Sequence, residues 1–202
     1  MRATFSLFQS HLDLAHSYWK QLVCEGDIVV DATCGNGKDT HFLCTLTLNS
    51  PEGIVYAFDR QENAIANTRL LIHSLLQKQL GRCILEKRCH SSFPEEIKPG
   101  TVKLIVYNLG YLPGGCKNEV TQVGTTLQSI EKAQELIMPG GSISITCYPG
   151  HPEGKKEEEA ILKSISLLSP QKWSACQHCW VNRKDAPSLI LLQKSGYINV
   201  DV

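Results

Sequence analysis

No apolar run in this 202-residue chain approaches the roughly 20 residues needed to span a bilayer. The N-terminal stretch MRATFSLFQSHLDLAHSYWK also lacks a long apolar core with a small-residue cleavage site. Neither a membrane protein nor a secreted one is expected; the expected location is cytoplasmic. Charge of one sign is lacking as well, since 20 Lys and Arg balance 20 Asp and Glu. No global field attracts nucleic acid, so a nucleic-acid partner would need a local basic patch. Repeats, low-complexity tracts and Pro- or Ser-rich linkers are absent. One domain over residues 1–202 is expected, with 1–26 as an N-terminal helical cover.

Cysteine is not scarce, but pairing signals are. The nine cysteines are odd in number and mostly sit inside apolar runs such as FLCTL and ITCYP. They read as reduced thiols packed like small hydrophobes. The cluster Cys176-Gln177-His178-Cys179 has no second Cys/His pair at zinc-ribbon spacing and reads as strand, so no metal is expected.

What is present is an alternation of strand and helix. Short β-branched or apolar runs occur at 27–32, 53–59, 83–89, 102–108, 141–148, 173–181 and 188–194. Stretches with helical spacing occur at 38–48, 61–80, 125–137 and 157–168, with Gly81 stopping the second. The expected fold is α/β, a mainly parallel seven-stranded sheet with helices on both faces. Ligands of such sheets bind outside the carboxyl ends of the strands, where strand order reverses.

The first such junction, VVDATCGNGKDTHFL, is a strand, a glycine turn and a helix start. Gly35 and Gly37 permit close backbone approach, and Asp31 either fixes the turn or meets a cation. The second strand ends in Asp59, about 20 residues further on, where a carboxylate can accept both hydroxyls of a ribose. Thr40 stands where a dinucleotide fingerprint has its third glycine, and Asp39 is misplaced for a pyrophosphate. The loop also lacks the Gly-Lys-Ser/Thr of a Walker motif. Three carboxylates near one pocket suit S-adenosylmethionine, with NAD the runner-up.

The fourth strand runs into Asn108-Leu109-Gly110-Tyr111 and a Pro-Gly-Gly turn. An Asn carbonyl and a neighbouring backbone carbonyl can accept the two N–H groups of a primary amine and aim its lone pair. An adjacent aromatic can stack on a base. The same logic governs the Asn-Pro-Pro-Tyr loop of amino-group methyltransferases, with Gly110 in place of a proline. A strand end with a capped turn is the plainer alternative.

Together VVDATCGNGKDTHFL, VYAFDRQENAI, NLGYLPGG, GGSISITCYPGH and APSLILLQK resemble the MnmM (YtqB-like) tRNA methyltransferases, first described as rRNA methylases. The resemblance covers nearly the whole chain. It implies a Rossmann-like class I methyltransferase that N-methylates 5-aminomethyl-(2-thio)uridine at the tRNA wobble position. An rRNA or small-molecule methyltransferase on the same frame is the alternative. Carried over by motif, the cofactor-binding positions are Asp31, Ala32, Gly35, Asn36, Gly37, Asp39, Asp59, Gln61, His90 and Asn108. The catalytic ones are Asn108 and Tyr111, and the substrate-binding ones are Leu109, Gly110, Tyr111, Pro113, Gly114 and His151. The partner implied is tRNA near its anticodon, and a homodimer remains open. Arg82, Lys87, Arg88, Lys117, Arg183 and Lys184 are candidates for a tRNA-facing rim. Lys155–Glu159 reads as a solvated helix start. The family pattern is broken at Lys38, at Arg88-Cys89-His90 and at Glu153.

Overall fold

The computed structural model describes residues 10–75, 82–110 and 121–196. Among the described residues, seven strands and five helices follow in the order α1 (His11–Leu22), β1 (Ile28–Asp31), α2 (Lys38–Thr47), β2 (Ile54–Asp59), α3 (Glu62–Leu75), β3 (Cys83–Lys87), β4 (Val102–Asn108), α4 (Val123–Leu136), β5 (Ile137–Cys147), α5 (Pro152–Ile165), β6 (Trp173–His178) and β7 (Ser188–Lys194). They form one sheet in the order β3-β2-β1-β4-β5-β7-β6. All neighbours from β3 to β5 pair in parallel, while β7 runs antiparallel to both β5 and β6. The mainly parallel seven-stranded sheet expected from the alternation is what the chain builds.

Successive strand residues face opposite sides, and both sides are buried. Val29, Val55, Leu104 and Val106 pack under α1, α2 and α3 with Ala15, Trp19, Leu43 and Ile72. Val30, Phe58, Ile105, Tyr107 and Ile145 face α4 and α5 with Ile130, Ala133 and Ile161. α1 lies on the sheet, with Trp19 Nε1 donating to Ser144 Oγ on β5 at 3.0 Å. No helix among the described residues is long and apolar enough to cross a membrane.

Three elements begin earlier than their sequence pattern suggests, α4 by two residues, β5 by four and α5 by five. β5 starts at Ile137 because Met138–Gly140 joins it through an irregularity, with Gly140 at φ +74° and a register shift against β4. α5 starts at Pro152, where a proline at the first helical position needs no N–H, and His151 caps it. Gly81, the expected stop of α3, lies outside the described residues.

Candidate active site

The strand order reverses between β1 and β4, so their carboxyl ends open a crevice at the switch point. Asp31 ends β1, Asp59 ends β2 and Asn108 ends β4. The three informative side chains of the sequence are therefore brought to one end of the sheet.

The glycine turn is held from several sides. Gly37 sits at φ +81° as the N-cap of α2, and a Cβ there would come within 2.9 Å of the Thr68 Cα on α3. Both the conformation and the close approach require glycine. Asp31 is fully buried, accepting from Thr33 N–H at 3.2 Å and from the Thr40 hydroxyl at 2.6 Å. It fixes the turn. Burial, reinforced by the nearby Asp39 carboxylate, pushes its carboxyl up to about 7. Asp59 accepts the Gly35 N–H at 3.0 Å and the Gln61 N–H at 2.9 Å, one on each oxygen. It remains partly exposed, and each oxygen keeps a further lone pair for a ribose hydroxyl. Asn36 accepts from Asn67 Nδ2 at 3.1 Å, tying the turn to α3.

At the β4 end, Asn108 Nδ2 donates to Asp39 Oδ2 at 2.6 Å, and its backbone N–H donates to Thr33 Oγ1 at 2.7 Å. The carboxylate can only accept, so the orientation of the amide is settled. Asn108 Oδ1 is left buried with no hydrogen-bond partner among the described residues. A buried acceptor of this kind is costly unless a donor arrives. The other oxygen of Asp39 meets His16 Nε2 at 2.7 Å. Asp39, expected to serve the cofactor, thus has both oxygens engaged by α1 and β4.

Gly110 has φ +130°, which no proline can adopt. The Asn-Pro-Pro-Tyr pattern cannot be threaded through this backbone, which accounts for glycine here. Tyr148, just past β5, lies 3.7 Å from where a Gly110 Cβ would stand. Its hydroxyl pairs with His11 Nε2 at 3.2 Å. Burial, then the Asp39 charge, pushes the phenol up to about 12, so it keeps its proton at neutral pH. Desolvation pushes His11 down, so it is neutral there.

Gly110 and Thr121 are hydrogen-bonded to each other. Thr121 N–H donates to Gly110 O at 3.0 Å, and Gly110 N–H donates to Thr121 Oγ1 at 3.0 Å. Thr121 and Thr126 each donate a hydroxyl to Glu157 at 2.6 Å. Glu157 is only 3 % exposed, and burial raises its carboxyl above the ordinary value. The solvated helix start expected at Lys155–Glu159 is corrected at this residue. The signal is the stripe Gly154, Glu157, Ile161, Ile165 on the buried face of α5.

Other expectations are also refined. Ala32 and Leu109 are core side chains. His90 is turned inward against α4, with its carbonyl accepting from Ser129 Oγ at 2.6 Å and its ring edge-on to Tyr107. Burial, helped by Arg60, pushes it down to about 4. His151 acts as the N-cap of α5, its Nδ1 accepting the Gly154 N–H at 3.0 Å. Glu153 is exposed and paired with Lys156, so this departure from the family pattern is a surface change. Arg82 is not a rim residue, because its guanidinium donates to the carbonyls of Leu48, Ser50 and Gly53. Lys87 pairs with Glu62, Arg88 with Glu86, and Arg183 stacks on Trp180 at 3.7 Å. Tyr111, Leu112, Pro113, Gly114, Gly115 and Lys117 lie outside the described residues. Cys176 Sγ stands 3.7 Å from His178 Nε2, which also meets the Tyr18 hydroxyl at 3.1 Å. Sequence reasoning missed His11, His16, Tyr148, Thr121 and Thr126.

Sheet order and crevice together are those of a class I, Rossmann-like methyltransferase. More narrowly, the chain belongs to the family described as "putative rRNA methylase", whose pattern matches residues 55–194. It is 37% identical over 187 residues to a tRNA (mnm(5)s(2)U34)-methyltransferase, chloroplastic, of Arabidopsis thaliana, covering 90% of this chain and 68% of that one. Among solved structures it resembles a putative rRNA-methylase from Clostridium thermocellum, with TM-score 0.86 and 37% identity over 93% of this chain and 98% of that one. It also resembles a putative methyltransferase from Streptococcus mutans in complex with SAH, with TM-score 0.81 and 32% identity over 93% and 99%.

Proposed function

We propose that this protein N-methylates the 5-aminomethyl group of 5-aminomethyl-(2-thio)uridine at the wobble position of tRNA, giving the 5-methylaminomethyl product. The observation that carries the reading is the buried Asn108 Oδ1, which has no hydrogen-bond partner among the described residues and whose amide is oriented by the Asp39 carboxylate. The name of the Arabidopsis thaliana relative supports the same nucleoside, and the SAH complex of the Streptococcus mutans relative supports the cofactor.

S-adenosylmethionine supplies an electrophilic methyl on a cationic sulfur. The residues fit it: Asp59 offers open lone pairs to ribose hydroxyls, and the Gly35–Gly37 turn offers backbone to the methionine end. Asn108 Oδ1 accepts one N–H of the target amine and the adjacent backbone takes another, aiming the nitrogen lone pair. An aliphatic amine is mostly protonated in neutral water and must reach this pocket neutral. Desolvation favours that form, since a buried ammonium is penalised.

The test is nucleoside mass spectrometry of tRNA carrying 5-aminomethyl-2-thiouridine, incubated with the protein and S-adenosylmethionine. One methyl should appear on that nucleoside. Asn108→Ala should slow the reaction by about 10²–10³-fold while S-adenosylhomocysteine still binds in calorimetry. No methylated nucleoside from the wild type would discard the tRNA assignment in favour of rRNA. Equal turnover by the variant would remove the role of Asn108.

A further inference from the structure

The reading above gives α1 no part beyond covering the sheet. We propose that α1 belongs to the catalytic apparatus, with His16 as a positioning residue that acts on the target amine through Asp39 and Asn108. The proposal rests on the assigned role of Asn108.

The amide of an asparagine turns about a broad, soft torsion, so nothing intrinsic keeps Oδ1 rather than Nδ2 facing the pocket. Reversed, it would present N–H donors to an amine that itself needs an acceptor. The Asp39 carboxylate prevents the reversal by accepting from Nδ2 at 2.6 Å. Asp39 is itself a mobile side chain in the first turn of α2, and a single bond to Asn108 would leave it free to swing. His16 removes that freedom by binding the second oxygen at 2.7 Å.

The imidazole is in turn fixed from two sides. It stacks on Phe42 with centroids 4.1 Å apart and planes 10° apart, and it lies 4.9 Å from the Trp19 ring. Trp19 is anchored to β5 through Ser144. A continuous chain of contacts thus runs from the sheet through α1 to the acceptor oxygen. Of the polar contacts that α1 makes, the His16–Asp39 bond is the one whose partner also holds the Asn108 amide.

Two substitutions separate packing from hydrogen bonding. His16→Phe keeps the ring against Phe42 and removes the donor. His16→Gln loses the ring but places an N–H donor at similar reach. Single-turnover methylation of aminomethyl tRNA at saturating cofactor is measured, with melting temperature and S-adenosylhomocysteine affinity alongside. His16→Phe should slow the chemical step about 10–100-fold, leaving cofactor affinity and the KM for tRNA within about twofold. His16→Gln should recover most of that loss. A His16→Phe protein as fast as wild type, or a His16→Gln protein as slow as His16→Phe, overturns the proposal. Wild type inactive on this tRNA would instead overturn the assigned reaction, and the role of His16 with it. Wild type active and indifferent to His16 overturns the role alone.

Discussion

The burial of the Asp31 carboxyl costs stability in a pH-dependent way, and the cost is measurable. Its carboxyl is fully buried and pushed from an ordinary 3.8 up to about 7. A raised folded-state value means that the folded protein holds the proton more tightly than the unfolded chain. Stability is then greatest below pH ~4 and is lost as pH rises towards ~7. At 1.36 kcal/mol per unit the full loss is about 4 kcal/mol, of which roughly half or a little more falls between pH 5 and 8. Asp31→Asn isolates this contribution. The amide oxygen can still accept the Thr33 N–H, and its nitrogen can donate to the Thr40 hydroxyl, so both contacts survive with one reversed. Urea unfolding of both proteins at several pH values gives the difference curve. The variant should gain on wild type by roughly 2–3 kcal/mol between pH 5 and 8. A difference that stays flat across that range would refute the reasoning, because it would mean that Asp31 is ionised throughout.

Gly110→Pro should destabilise by about 3 kcal/mol or more, since it forces φ away from +130° and removes the N–H given to Thr121, whereas Gly110→Ala should lose about 1–3 kcal/mol. Thermal melts and methyl transfer compare them, and a proline variant as stable as the alanine one would contradict the assigned backbone. Arg82→Ala should lower stability by about 3 kcal/mol, through three carbonyls left without their cationic donor, and leave tRNA affinity unchanged. Filter binding that showed a tenfold weaker complex would return Arg82 to the RNA-facing surface.

Local chemistry was legible and distant chemistry was not. β4 and β7 run over the residues their sequence patterns mark, because each is a β-branched apolar run closed by turn residues. Asp31, Asp59 and Asn108 were legible for a different reason: parallel sheets place ligand chemistry just past strand ends, and all three stand there. The His16–Asp39–Asn108 chain joins residues far apart in sequence, and no local spacing encodes it. A weaker trace exists, since Leu12, Ala15, His16 and Trp19 recur at helical spacing and put His16 on the inward face of α1. Glu157 left the same trace on α5. In both cases a polar residue on an apolar stripe was the signal, and local charge pattern obscured it.

The placement of α1 also has a consequence for how the protein matures. α1 lies against β5 and β7, so a helix near the N-terminus rests on the last strand of the sheet. Contacts spanning so much chain form late, after the loop entropy between them has been overcome by shorter-range pairing. The His16–Asp39 bond itself spans only 23 residues, but the seat of α1 on the sheet is complete only once β7 has inserted between β5 and β6. During synthesis, the nascent chain can build the cofactor turn and the β4 end before α1 has its full seat on the sheet. A chain stalled before β7 would thus hold the crevice under an α1 whose seat on the sheet is incomplete.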